Sequence, residues 1–241
     1  MKIIQWVAGL ILSFSLLVII FITSFQVAMY SDFDWYQRTY ERYHVLADLD
    51  MEMEDVMYVT REMMAYLIGE REDLFVTTKI GGEAKNFFGY QDRFHMFEVK
   101  ELFLGGLEIR SIATDIFLVS LLVLILTRVD YKKVIPRSLW ISMGMIGLAG
   151  IALFLIFMFD FSHAFVVFHE IFFDNDLWLF DPATSYMIRM LPEGLFYDMI
   201  MRVLLIFGIG LVVLLAASIF FHKLTWNKNQ QAIITSTDKT T

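Results

Sequence analysis

The 241-residue sequence contains no cysteine and only three prolines, and charged residues make up only 19% of it. The lack of cysteine excludes disulfide bonds, thiolate nucleophiles and cysteine-bound metals. A net charge of -8 argues against the basic surface of a nucleic-acid-binding protein. The hydrophobic fraction is 58% and the mean hydropathy is +0.60, whereas a soluble domain is about 45–50% apolar. This composition excludes a disordered chain and indicates a membrane protein.

Four apolar stretches are long enough to cross a membrane, since a spanning helix needs about 20 mainly apolar residues. They cover about residues 4–29, 109–127, 139–159 and 201–221. The first is longer than the apolar region of about 7–15 residues in a signal peptide, so it predicts an uncleaved anchor. The sequence therefore predicts an all-α integral membrane protein forming a single membrane domain over residues 1–241. Its four transmembrane helices are expected to carry a helical, membrane-hugging extracytoplasmic cap.

The distribution of charge predicts the orientation of these helices. Lys2, the loop at about 128–138 and the tail at about 222–241 contain eight of the 19 basic residues and two of the 27 acidic ones. Lysine and arginine concentrate in cytoplasmic flanks, so both termini are predicted to be cytoplasmic. The loops at about 30–108 and 160–200, which hold 24 of the acidic residues, are then extracytoplasmic.

The two extracytoplasmic loops carry signals of regular structure. In the first, residues 50–69 have the apolar spacing of a helix, 74–80 are strand-like, and Gly81-Gly82 marks a turn. In the second, Asp181-Pro182 predicts a helix cap followed by a first-turn proline. Another helix is predicted to start at Leu191-Pro192 and to continue into the fourth span.

Histidines are the strongest candidates for chemistry, and three of the five are predicted to lie near the outer membrane boundary: His95, His163 and His169. The zinc motif HExxH is absent, because Phe173 stands where its second histidine is required. A zinc site would have to combine His95, His169 and a carboxylate from separate loops. The serine-nucleophile motif GxSxG is also absent. A histidine that acts as a general base without a protein nucleophile remains open.

Two of the outer segments resemble one known family. RFHMFEVKELF at 93–103 and FHEIFFDNDLWLFDPATSYMIRMLPEGLF at 168–196 are similar to segments of the bacterial lipoprotein intramolecular transacylases (Lit). The resemblance implies a four-span protein of the bacterial cytoplasmic membrane, part of the cell envelope, that acts on diacylglyceryl lipoproteins and contacts membrane lipid. Its expected reaction moves the sn-2 acyl chain to the α-amino group of the N-terminal cysteine, giving a lyso-form lipoprotein. No cofactor or metal is implied.

The resemblance also assigns site residues. The two histidines that the family is understood to require correspond to His95 and His169. We expect His169 to take a proton from the α-ammonium group. His95 is expected to hydrogen-bond the developing oxyanion or to protonate the departing glycerol oxygen. Supporting or substrate-binding roles are expected for Glu98, Arg189, Arg110, Trp178 and Asp181. Family members usually have aspartate at the position of Glu98 and often at that of Ser185.

Two other functions remain open from the residues alone. A metal-dependent membrane hydrolase would use His95 and His169 as ligands. A non-catalytic membrane protein would bind lipid or peptide through the aromatic second loop. The resemblance favours an intramolecular acyltransferase over both.

Overall fold

The computed structural model describes the backbone of residues 2–237, and the side chains of residues 2–220 apart from residue 153. Most of this part of the chain is helical, and a single β-hairpin interrupts the helices. In chain order the elements are α1 (Lys2–Tyr30), α2 (Asp34–Arg42), α3 (Val45–Leu49), α4 (Met53–Leu67), β1 (Thr77–Ile80), β2 (Glu83–Asn86), α5 (Tyr90–Leu126), α6 (Tyr131–Phe159), α7 (Phe161–Phe172), α8 (Tyr186–Met190) and α9 (Glu193–Thr237).

Helices α1, α5, α6 and α9 are long and apolar enough to cross a membrane, which confirms the predicted fold class. Helix α5 is longer than the predicted span, with 37 residues and a length of about 55 Å. Its first part carries the charged residues Asp92, Arg93, Glu98, Lys100 and Glu101. A cluster of charged side chains is costly within the hydrocarbon core of about 30 Å. The part of α5 before the apolar run therefore lies outside the membrane-spanning segment.

The chain forms two compact units, and the first contains most of the spanning helices. It comprises Met1–Ser24, Arg110–Ala152 and Leu205–Thr241. Its buried core is small, with Ala8, Leu12 and Leu124 at the centre. Many large apolar side chains are exposed instead, among them Leu148 and Val119. Such exposure is expected for helices whose outer faces contact lipid.

The second unit comprises Phe25–Ile109 and Leu153–Leu204 and has an ordinary hydrophobic core. Helix α4 buries the face predicted from its apolar spacing: Val56, Val59, Met63, Tyr66 and Leu67. The Tyr40 hydroxyl is 2.7 Å from the Thr60 hydroxyl inside this core. The unit therefore behaves as a small folded domain that can hold side chains in fixed positions.

A β-hairpin lies in this second unit, where only one strand-like segment was predicted. Strands β1 and β2 pair antiparallel, with Ile80 opposite Glu83. Gly81 and Gly82 form the predicted turn with positive φ values of 60° and 79°, a conformation that favours glycine in two-residue hairpin turns. Strand β2 is exposed along its whole length, so its sequence lacks the alternating apolar pattern that identifies a strand.

The predicted helix after Asp181-Pro182 starts later than expected. The Asp181 carboxylate accepts a hydrogen bond from the Ala183 amide at 2.9 Å. The Asp181 carbonyl accepts bonds from the amides of Thr184 and Ser185, both at 3.0 Å. The Asp181 carboxylate and carbonyl, which the prediction assigned to the start of a helix, are thus part of this turn. Ser185 is the N-cap of α8 instead, since its hydroxyl accepts the Ile188 amide at 3.2 Å. The prediction that Asp181 caps this helix is therefore wrong.

Gly194, in the first turn of α9, lies against the ring of Tyr43 at the end of α2, and an added Cβ there would overlap that ring. We expect Gly194→Ala to lower stability by about 1–3 kcal/mol, because overpacking displaces the ring. Gly105→Ala is the control, since no described residue has an atom within 4 Å of its Cβ position. Thermal unfolding in detergent tests this: the first variant should melt several degrees below the second. Equal melting temperatures would contradict the packing described.

Candidate active site

The structure brings His95 and His169 together. His95 is on the first part of α5 and His169 is on α7. Their rings are stacked, with centroids 5.8 Å apart and an interplanar angle of 27°. Both side chains are buried, at 6% and 7% exposure. Two segments that are distant in sequence thus contribute one histidine each to a single place in the second compact unit.

Aromatic rings surround the histidine pair. Phe173 and Phe180 lie 4.8 Å and 5.5 Å from the His95 ring. Phe165 and Trp178 lie 4.2 Å and 4.9 Å from the His169 ring. Trp178, one of the predicted supporting residues, is therefore placed at the site. These rings exclude water from the faces of both imidazoles.

The dry surroundings keep both imidazoles neutral. Burial, and to a smaller extent the neighbouring His169, lowers the pKa of His95 to about 4. Burial also lowers the pKa of His169, although the hydrogen bond to the Phe165 carbonyl opposes this shift. Desolvation disfavours the charged form of an imidazole, so each ring has a lone pair available near neutral pH.

One hydrogen bond fixes the tautomer of His169. Its Nδ1 atom is 2.7 Å from the carbonyl oxygen of Phe165, one turn earlier in α7. A carbonyl only accepts, so in the neutral ring Nδ1 carries the hydrogen and Nε2 carries the lone pair. His169 is thereby prepared to accept a proton at Nε2.

His95 has a carboxylate beside it. The Glu98 Oε2 atom is 4.0 Å from the His95 Nδ1 atom, and both atoms are buried with no hydrogen-bond partner among the residues that the structure describes. The other carboxylate oxygen, Oε1, accepts a hydrogen bond from Asn175 Nδ2 at 2.7 Å. Glu98, a predicted supporting residue, is thus placed next to His95.

The loop between α7 and α8 is attached to one face of α5. Gln91 Nε2 donates to the carbonyls of Leu177 and Leu179 at 2.9 Å and 3.1 Å, and Glu98 accepts from Asn175. Gln91, His95 and Glu98 have the spacing i, i+4, i+7, which places them on one helix face. The sequence interpretation missed Gln91 and Asn175; polar residues at this spacing beside a histidine were the available signal.

A second connection joins the same two segments. Asp92 is only 2% exposed, and its carboxylate accepts the Gly89 amide at 2.7 Å, which caps the start of α5. The Ser185 hydroxyl donates to the same carboxylate at 2.6 Å. Ser185, where family members often have aspartate, therefore contacts Asp92 and caps α8.

Three predicted supporting residues have other surroundings. Arg189 donates to the Asp48 carbonyl at 3.1 Å and lies over the Tyr186 ring at 4.8 Å, which attaches α8 to α3. Asp181 forms the turn described above. Arg110 belongs to the first compact unit. Arg189 and Asp181 thus make their hydrogen bonds to groups other than the two imidazoles.

The described residues contain no group of three histidine, cysteine, aspartate or glutamate side chains that could hold a metal ion. The pair of histidines has Glu98 beside it, but the Glu98 Oε2 atom is 4.0 Å from the His95 Nδ1 atom. The ligands considered for a zinc site, His95, His169 and a carboxylate, are thus not arranged as a metal site within the described residues.

The family model described as lipoprotein intramolecular transacylase Lit matches residues 10–197. The chain belongs to this family. The resemblance drawn from segments 93–103 and 168–196 is thereby confirmed, and with it the assignment as an integral membrane acyltransferase involved in lipoprotein processing. No curated protein sequence matches the chain.

Solved structures agree with the Lit assignment at the level of the fold. The structure of the membrane-integral lipoprotein intramolecular transacylase Lit from Bacillus cereus has a TM-score of 0.72 and 20% identity, covering 97% of this chain and 100% of that one. Two structures of the Bacillus cereus enzyme with one histidine replaced, by arginine or alanine, both have TM-scores of 0.67. Their identities are 19% and 20%, with 96% and 95% of this chain and 94% and 96% of theirs covered.

Stability is expected to depend on pH through His95. Its folded pKa of about 4 is below the unfolded value of about 6.5. The unfolded chain therefore binds more protons between these pH values, and stability falls as pH falls from 6.5 to 4. The decrease in the free energy of unfolding that His95 causes is at most about 3 kcal/mol. Melting temperatures across this range should fall less steeply for His95→Asn.

The exposed His163 on α7 provides the control for this pH experiment. His163→Asn should retain the wild-type dependence of melting temperature on pH. If His95→Asn also retained it, burial would not hold His95 neutral in the folded protein.

Proposed function

We propose that this Lit-family enzyme performs its transacylation with His169 and His95 as the catalytic pair. The substrate is a diacylglyceryl lipoprotein, and the sn-2 acyl chain moves from glycerol to the α-amino group of the N-terminal cysteine. The observation that carries the proposal is the buried stack of two histidines inside a ring of aromatic side chains. Each histidine comes from one of the two segments that resemble the family.

The nucleophile in this scheme is the substrate's own amine. An α-amino group has a pKa of about 7.7–8.0, so it is mostly protonated near neutral pH and must lose a proton before it can attack. His169 is suited to this step because its Nδ1 atom is engaged by the Phe165 carbonyl and its Nε2 atom holds the lone pair. We assign the first proton transfer to His169 Nε2.

His95 acts on the oxygen side of the ester. A C–N bond forms and the ester C–O bond breaks; the ammonium loses two protons and the glycerol oxygen gains one. His95 hydrogen-bonds the developing oxyanion or protonates the departing oxygen. A positioned acid or base contributes about 10²–10⁴-fold, and an oxyanion donor about 10²–10³-fold. Holding amine and ester in one substrate molecule contributes further through effective molarity.

The site is proposed to face the extracytoplasmic side of the membrane, with both termini in the cytoplasm. The basic flanks support this orientation. Helix α7 exposes Phe168, Ile171 and Phe172, and the following loop exposes Leu179. Apolar residues exposed next to the histidine pair support a location at the membrane surface, where lipid esters are found.

Replacement of either histidine is expected to abolish conversion. The protein is expressed in a bacterium that lacks N-acylation of lipoproteins, and the lipoprotein N-terminal peptides are analysed by mass spectrometry. Wild type should give N-acyl, S-monoacylglyceryl cysteine. His169→Ala and His95→Ala should each lower the yield by at least about 10²-fold, because each removes a proton-transfer group.

His163→Ala is the matched control, because His163 lies on the same helix as His169 but is exposed. It should convert like wild type. Folding of every variant is checked by its elution as a monodisperse peak in detergent. Persistent diacylglyceryl cysteine with a free amine in cells that express wild type well would overturn the proposed function. Full conversion by either histidine variant would remove that residue from the mechanism.

The cysteine-free chain allows a direct test of sidedness. Asp174→Cys introduces a single thiol at an exposed position in the loop beside the histidines, and Lys133→Cys introduces one at the start of α6. A membrane-impermeant maleimide should label position 174 in intact cells and position 133 only after the membrane is opened. The reverse pattern would contradict the orientation and the proposed place of the reaction.

A further inference from the structure

The role proposed for His95 raises an electrostatic problem. To give a proton to the glycerol oxygen, its ring must carry a positive charge for part of the cycle, yet the ring is buried among Phe173, Phe180 and the neutral His169. An isolated buried charge is strongly disfavoured unless an opposite charge pairs with it. The acid role therefore requires a carboxylate in contact with the ring nitrogen that does not face substrate.

Glu98 is in position to supply that charge. Its Oε2 atom is 4.0 Å from His95 Nδ1, and neither atom has a hydrogen-bond partner within the described part of the chain. While the ring is neutral, this separation exceeds a hydrogen bond. Once both ring nitrogens carry hydrogens, a movement of about 1 Å brings Nδ1–H into hydrogen-bond range of the carboxylate. The two unpaired atoms then satisfy each other.

Asn175 determines which way the Glu98 carboxylate points. Its Nδ2 atom donates to Oε1 at 2.7 Å, which leaves only Oε2 directed at His95. Its Oδ1 atom accepts the Leu177 amide at 2.9 Å, so the side chain itself is held by the turn that follows. Gln91 fixes the same loop through the Leu177 and Leu179 carbonyls. The amide of Asn175 is thus a rigid donor that reaches across from the second segment to the first.

We propose that Asn175 is a positioning residue of the active site. It holds the Glu98 side chain so that the free Oε2 atom of Glu98 pairs with the imidazolium form of His95 during acyl transfer. Asn175 acts through Glu98 and does not contact the reacting atoms. This inference rests on the proposed function, in which His95 is the group on the oxygen side of the ester.

The test is a donor–acceptor exchange. Asn175→Asp keeps the oxygen that accepts the Leu177 amide, so the turn is retained, but it places a second carboxylate against Glu98. In the double variant Asn175→Asp, Glu98→Gln, the glutamine amide donates to the aspartate, so the contact between loop and helix is restored without a charge facing His95. Asp174→Asn, at an exposed position of the same loop, is the control.

Three quantities are measured for each protein in detergent: the melting temperature, and the kcat and KM with a synthetic diacylglyceryl lipopeptide. Asn175→Asp should lower kcat by at least about tenfold, the usual effect of losing a hydrogen bond to a charged group, with KM within about twofold of wild type. The double variant should regain the wild-type melting temperature but keep the low kcat. Asp174→Asn should match wild type in all three quantities.

The outcomes distinguish two roles of Asn175: positioning the Glu98 carboxylate, or only attaching the loop to α5. If the double variant regained kcat together with the melting temperature, the contact would serve only to hold the loop, and the proposal would be overturned. Wild-type kcat in Asn175→Asp would overturn it as well. If Asn175→Asp does not fold, the double variant decides alone: low kcat at normal stability supports the pairing of the Glu98 charge with His95 on which the proposal depends, and wild-type kcat overturns it. Absence of product from wild type would instead reject the proposed function, and this inference with it.

Discussion

The attachment of the 174–181 loop to one face of α5 is the contact on which the geometry of the site depends. Gln91 holds two loop carbonyls, and Glu98 accepts from the Asn175 amide. Between these two anchors lies His95, and the attached loop carries the Trp178 ring to His169. The same loop places Phe180 against His95 and Trp178 against His169, and such dry surroundings keep His169 neutral, as its role as a proton acceptor requires.

The spanning helices could be predicted from sequence because apolar length is a direct requirement of the bilayer. The buried face of α4 and the turn at Gly81-Gly82 were also predictable, since each depends on local spacing or backbone conformation. The two candidate histidines could be named because their segments resemble a known family. All of these signals are contained within short stretches of the chain.

The remaining features depend on contacts between distant segments. Strand β2 is exposed along its length, so only its pairing with β1 defines it. Helix α8 begins at Tyr186 because Ser185 provides its cap, after Asp181 has been used in a turn. Asn175 looks like an ordinary turn residue in the sequence, and its amide gains a role only when Glu98 is beside it.

Because the Nδ1 atom of His169 is hydrogen-bonded to the Phe165 carbonyl, this histidine accepts and releases protons through its Nε2 atom. A proton that arrives at Nε2 is not passed on by release of the Nδ1 hydrogen, because the partner of that hydrogen is a backbone carbonyl, which is too weak a base to take it. The proton must leave by the side on which it came. The reaction is therefore isolated from proton exchange through the protein interior, and each proton taken from a substrate can return only to that substrate or to water entering from the same side.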